Sequence, residues 1–183
     1  MRYDELFHSM HPGFFEEDSI RALPKEDVFS EQLLDLKDFS VEAVIVDCPE
    51  NITFGFAQNA HDRLIEAVAQ VDEDWVQYFD EDSLVFCAFD GERIVSFCML
   101  DDMGWHEGLH ISGPGCVGTI PAYRGQGIAL RMVQLATDYL KQQGFHTSYI
   151  HYTHIDHWYA KLGYETIVKW NRDGIVWAKD EHN

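Results

Sequence analysis

The segment Ile120-Pro-Ala-Tyr-Arg-Gly-Gln-Gly-Ile-Ala-Leu130 joins a β-rich run to an amphipathic one through a turn that carries two glycines. Upstream, Cys116 to Ile120 reads as the end of a strand that Pro121 stops. Downstream, Gly127 to Gln143 repeats apolar residues at helical spacing: Ile128, Met132, Leu135, Ala136, Tyr139 and Leu140. Gly144 follows as the C-terminal cap. Gly125 and Gly127 let the backbone take unusual φ values and come close to a ligand. The unpaired amides that open the helix point outward at the positive end of its dipole, which suits a phosphate or pyrophosphate. Arg124 adds a fixed positive charge at the mouth of that turn, in a chain with 13 Lys and Arg against 32 Asp and Glu.

Working outward, Leu109 to Ile120 is a strand candidate in which Gly113-Pro114-Gly115 marks a bulge or a close backbone approach. Before it, Leu84 to Phe89 and Ile94 to Leu100 form a hairpin around Asp90-Gly91-Glu92-Arg93, the Asp-Gly pair tolerating positive φ. Ser148 to Tyr152 reads as a strand and His154 to Leu162 as a short helix ending at Gly163. Tyr164 to Trp170 and Ile175 to Ala178 close a last hairpin around Arg172-Asp173-Gly174. In the first half, Val41 to Val46 and Ile52 to Phe56 read as strands. His61 to Val71 reads as a helix with Asn59 as its N-cap, and Glu73 to Phe79 as a second, short helix. Residues 1 to 40 read as a partly helical N-terminal extension of the same domain, with helical rhythm in Lys25 to Leu36 through Val28, Leu33, Leu34 and Leu36. The order predicts one mixed α/β domain with a central twisted, mostly antiparallel sheet flanked by helices, its main body spanning residues 41–183.

Two motifs carry a family resemblance. Arg124-x-x-Gly127-x-Ala129, following Pro121-x-Tyr123 and opening the long helix, resembles the acetyl-CoA signature of the GCN5-related N-acetyltransferases. Trp158-Tyr-Ala-Lys-Leu-Gly-Tyr164 is similar to that family's second signature, a helical tyrosine followed by Lys-Leu-Gly and an aromatic residue. The resemblance covers about residues 83 to 179 and implies transfer of an acetyl group from acetyl-CoA to a primary amine, directly, in a ternary complex. It also implies that Arg124, Gly125, Gln126, Gly127, Ile128 and Ala129 wrap the pyrophosphate. Cys116 to Thr119, and in particular Val117, Gly118 and Thr119, would pair with the pantetheine arm and polarise the thioester carbonyl. Tyr159 matches the tyrosine that protonates the leaving thiolate. The pattern departs from the family at Tyr152-Thr-His-Ile-Asp156, where an asparagine is usual; Thr153 and His154 are the residues in a position to replace it. Glu107, Asp101, Asp102, His151 and His154 stand by position as bases for the amine, with none selected. A module that binds acyl-CoA as a sensor and transfers nothing would share every cofactor residue.

The net charge of −19 disfavours nucleic acid and anionic lipid as partners and is compatible with a cationic acceptor, a small amine or a peptide. No apolar run is long enough to span a bilayer, and Met1 to Gly13 lacks the order of a secretory signal, so a cytoplasmic location is expected. Cys48, Cys87, Cys98 and Cys116 match neither a zinc pattern nor a disulfide framework. Gly113-Pro-Gly-Cys-Val-Gly118 matches the dinucleotide fingerprint in letters, but the required helix cannot begin among those glycines. His151, His154 and His157 recur every third residue across a strand–helix boundary, which does not build a metal site, and no metal is expected. Phe54, Phe56, Trp75, Tyr78 and Phe79 are candidates for an acceptor pocket, and a symmetric homodimer is compatible with the fold.

Overall fold

A computed structural model describes residues 2–180. Eight strands form one sheet: β1 (Phe29–Asp35), β2 (Ile52–Phe56), β3 (Val85–Asp90), β4 (Arg93–His106), β5 (Leu109–Thr119), β6 (Thr147–Thr153), β7 (Glu165–Asn171) and β8 (Gly174–Ala178). Their spatial order is β2-β3-β4-β5-β6-β1-β7-β8, antiparallel throughout except for β5 and β6. The helices are α1 (Tyr3–Met10), α2 (Asp18–Arg21), α3 (His61–Val71), α4 (Ile128–Gln142) and α5 (Asp156–Tyr159), the last continued by a 3-10 turn to Leu162.

Alternation along the strands divides the core between the two faces. Phe86, Ala88, Cys98 and Ile150 pack under α4 with Met132, Val133, Ala136 and Leu140. On the other face, Val85, Cys87 and Phe97 meet Leu64 and Val68 of α3, while Tyr149, Ile167 and Trp170 meet Leu6 and Phe7 of α1. The β3–β4 hairpin, the helix over His61–Val71 and the final hairpin form where the sequence predicts them. In the β3–β4 turn only Gly91 takes a positive φ.

Three local expectations are corrected. The Lys25 to Leu36 segment is not helical: Phe29–Asp35 is β1, an interior strand between β6 and β7. Its buried positions include Ser30, Glu31 and Gln32, whose Oγ, carboxylate and Nε2 are partnered while Gln32 Oε1 has no partner among the described residues, so no apolar alternation announces the strand. Val41 to Val46 forms no strand; Val41–Ala43 is a 3-10 turn capped by Ser40, and Gln134 of α4 donates to the carbonyls of Val41 (3.0 Å) and Val44 (2.7 Å). A helical glutamine thus takes the place of a ladder partner. Asn59 does not cap α3: Ala60 holds that position without a side-chain bond, and Asn59 sits at φ 53°. The 73–79 segment is a 3-10 helix over Glu73–Tyr78.

Candidate active site

Strands β5 and β6 pair in parallel only at Ile111↔Thr147 and Ser112↔Ser148. One residue later the backbones still touch, since a Cβ on Gly113 would lie 1.8 Å from the Tyr149 carbonyl oxygen. No pairing follows among the described residues, so the strands part towards the C-terminal end of β5. On its other edge β5 bulges against β4. Met99 pairs with Gly115 and Phe97 with Gly118, leaving Cys116 and Val117 opposite Cys98 alone. Cys116, within this bulge and beyond the last contact with β6, takes φ 45°.

The end of β5 is pinned. Ser96 Oγ donates to the Gly118 carbonyl at 2.7 Å and lies 2.9 Å from Thr119 Oγ1. Pro121–Tyr123 then makes a 3-10 turn, and Tyr123 donates its hydroxyl to Asp90 at 2.8 Å, tying that turn to the β3–β4 hairpin. Arg124 Nε donates back to the Thr119 carbonyl at 3.0 Å, which fixes the guanidinium beside the strand end, and among the described residues Arg124 makes no ion pair. Gly127, at φ 76°, is the N-cap of α4. A side chain there is excluded twice: by the left-handed backbone, and by the Asp47 carbonyl, 2.0 Å from where a Cβ would sit. None of the six amides from Gly125 to Leu130 donates to a described residue; the first bonded amide of the helix is that of Arg131, to Gly127. Six free donors, a helix dipole and a guanidinium together make an anion receptor.

This receptor opens on a cleft of about 540 Å³. Val117, Gly118, Thr119, Arg124, Gly125, Gly127, Ile128, Ala129 and Tyr159 all line it, so the structure brings together nearly every residue singled out in the sequence. Gln126 is the exception; its side chain turns away and donates to the Ala122 carbonyl at 3.3 Å. Lys161 also lines the cleft; it stands in the second signature without a role assigned to it there, although a second cation near the turn is conspicuous where cations are scarce. Ile155 and Trp158 add apolar wall on the α5 side.

Tyr159 is 5% exposed and belongs both to the cleft and to the core under α4. Burial, followed by the neighbouring Tyr164, Cys98 and Cys116, pushes its pKa far above the ordinary phenol value, so it stays protonated. Neither residue offered for the missing asparagine reaches the cleft. Thr153 Oγ1 accepts from the Ile155 amide at 3.1 Å, shaping the turn into α5, and the His154 ring lies 4.1 Å from that of Phe29.

Of the positions considered for a base, Glu107 sits in the β4–β5 turn, Asp102 is bound to His110 at 2.9 Å, and His151 is bound to Glu31 at 2.9 Å. Asp101 pairs with Gly113 in the β4–β5 ladder. Desolvation, then Asp80, raises its carboxyl pKa, and its charge adds to the burial that raises the Cys116 thiol. The proposed aromatic pocket does not form. Phe54 and Phe56 pack on the α4 face, with Phe56 and Tyr139 4.7 Å apart, whereas Trp75 and Phe79 pack on the opposite face and Tyr78 is exposed. Residues 113–118 lie wholly within β5, so the dinucleotide fingerprint has no helix to serve. All four cysteines are free thiols, and no described helix is long and apolar enough to cross a membrane.

A largely antiparallel sheet splits at its parallel pair beside a helix whose first amides are free, so an anion receptor adjoins an open strand edge. The family model for the acetyltransferase (GNAT) family matches residues 51–164, and the chain belongs to that family. Solved structures agree on the fold. The glucosamine N-acetyltransferase region of a fungal multidomain GH3 β-N-acetylglucosaminidase superposes with a TM-score of 0.64 at 22% identity, covering 79% of this chain and 20% of that one. A GCN5-related N-acetyltransferase from Sphaerobacter thermophilus gives 0.55 at 18% identity, covering 79% of this chain and 50% of the other. One from Kribbella flavida gives 0.55 at 18%, covering 77% and 55%. The chain therefore spans about a fifth of the first relative and about half of the other two. No curated protein matches it.

Proposed function

We propose that the protein transfers the acetyl group of acetyl-CoA to a primary amine, on a small molecule or a peptide, by direct attack within a ternary complex. The observation that carries this reading is the run of free amides from Gly125 to Leu130, with Arg124 beside it, opening on the same cleft as Val117–Thr119 and Tyr159. The amides and Arg124 hold the pyrophosphate, and Lys161 adds charge at the rim. The edge of β5 that β6 leaves unpaired offers its backbone to the pantetheine arm, and an N–H near Val117 polarises the thioester carbonyl and steadies the oxyanion. The amine nitrogen forms its bond to the carbonyl carbon, the carbon–sulfur bond breaks, and the thiolate takes its proton from Tyr159, which is reprotonated by the proton that the nitrogen sheds as the amide forms. A free thiol has a pKa near ~8.5, so this help accelerates the step without being indispensable. Before the attack Asp101 takes a proton from the substrate ammonium, on the face of the sheet opposite α4, and so frees the amine lone pair. Four free cysteines suit a reducing compartment, and the reading takes the reaction as cytoplasmic.

The test is release of CoA thiol on mixing protein, acetyl-CoA and a panel of amines that includes amino sugars, polyamines and N-terminal peptides. Amine-dependent thiol release supports the reading. Tight acetyl-CoA binding with no release for any amine would replace it with a sensor that transfers nothing.

A further inference from the structure

On the face of the sheet away from α4, three side chains from distant parts of the chain converge: His11 just after α1, Glu31 in β1 and His151 in β6. One ligand-capable atom of each lies within 4.8 Å of the other two. Glu31 is fully buried, and its carboxylate is held from three sides. The Trp170 indole donates to Oε1 at 2.6 Å, the Tyr152 amide donates to Oε1 at 3.1 Å, and His151 Nδ1 meets Oε2 at 2.9 Å. The His11 ring stacks on that of His151 with centroids 4.0 Å apart. Its Nε2 is buried and bonds to no described residue.

Tyr149, two residues before His151 and 0% exposed, turns its hydroxyl towards the same carboxylate. Burial first, and then the adjacent Glu31, raises its pKa, which places the hydroxyl next to the carboxylate. His11 Nε2, buried and unpartnered among the described residues beside a buried carboxylate, departs from the near-universal pairing of buried polar groups.

We propose that His11, Glu31 and His151 bind a first-row divalent transition-metal ion, zinc being the representative, with the Tyr149 hydroxyl beside it. Two imidazoles and one carboxylate form a donor set that such ions accept, whereas calcium and magnesium call for oxygen alone. On binding, His151 is the neutral tautomer protonated at Nε2, which leaves the Nδ1 lone pair for the ion, and His11 turns out of its stack so that its own Nε2 meets it. Trp170 and the Tyr152 amide remain on Oε1 and orient the carboxylate from behind. The ion would fasten the segment after α1 to β1 and β6. The role is architectural and independent of the acetyl-transfer reading. It departs from the expectation of no metal, which weighs only the run His151, His154, His157; of these only His151 joins the cluster.

The experiment uses tag-free protein stripped with a chelator, titrated with zinc chloride and followed by calorimetry and thermal unfolding. Binding of one equivalent is expected. At about 100-fold excess over Kd, Tm should rise by roughly 5–10 °C for a domain of this size. His11→Phe preserves an aromatic ring against His151 and so preserves the packing. It should weaken zinc binding by at least roughly 10–100-fold, the loss typical even for an outer partner of a ligand. His157→Ala should leave the titration unchanged. No zinc-dependent shift in the parent protein, or an undiminished shift in His11→Phe, would overturn the site.

Discussion

At the scale of single residues, two side chains carry the proposed chemistry. Tyr159 is held protonated by burial, so Tyr159→Phe should lower kcat by roughly 10–100-fold, at the low end of general-acid effects, while the Kd for acetyl-CoA moves less than about twofold. Steady-state kinetics and titration of the same variant check both halves; an unchanged kcat would remove Tyr159 from the mechanism. Asp101 has its pKa raised, so its carboxylate becomes protonated at a higher pH than an ordinary aspartate. Activity should therefore fall as pH drops through that raised value. Asp101→Asn should remove this acid limb from the kcat/KM profile, and a limb that persists would assign it to another group. The cleft residues were legible in the sequence because glycine spacing and a lone arginine express a backbone requirement that few other patterns meet. Glu31 was not legible. A buried acid in a strand reads as solvent-facing until Trp170 and the Tyr152 amide are seen to bond to it.

At the scale of elements, the turn into α4 is the part that tolerates least. Gly127→Ala puts a side chain at φ 76° and against the Asp47 carbonyl. The backbone term alone costs roughly 1–2 kcal/mol, and the clash must also displace residues 44–48 or the helix start. The expected outcome is a lowered Tm together with weakened acetyl-CoA binding, read by thermal unfolding and titration. Unaltered binding would mean that the turn does not hold the pyrophosphate. Gln134 gives a second case. It is fully buried in α4 and serves the carbonyls of Val41 and Val44. Gln134→Leu leaves both unpaired and should cost roughly 1–3 kcal/mol in denaturant unfolding; a loss below about 0.5 kcal/mol would show that water serves them as well. The same contact explains why a valine-rich run, VEAVIV, was taken for a strand. Composition favours β structure there, but the hydrogen-bond partner that the fold supplies is one helical side chain.

At the scale of the whole molecule, the sheet includes an interior strand that lies outside the matched family segment. Residues 51–164 match the family, yet β1, residues 29–35, sits between β6 and β7. Residues 1 to 40 therefore contribute to the middle of the sheet as well as covering it, since α1 buries Leu6 and Phe7 over Tyr149 and Trp170. A truncated chain beginning at Val41 should fail to fold, giving no cooperative thermal transition by circular dichroism; a cooperative transition near that of the full chain would contradict this placement. The C-terminal half was readable because its turns, glycines and periodicity agree with one another. The N-terminal strand was not, because most of its buried residues are polar, and the partner that Glu31 finds 120 residues away leaves no local trace.

The central claim is that the amides of residues 125–130 and Arg124 receive the pyrophosphate of acetyl-CoA. Calorimetric titration of the purified protein with acetyl-CoA, with NADH as the control ligand, tests it most directly. The account predicts one-to-one binding of acetyl-CoA, no binding of NADH, and loss of binding in Arg124→Glu. Absence of acetyl-CoA binding, or binding indifferent to Arg124→Glu, would contradict it.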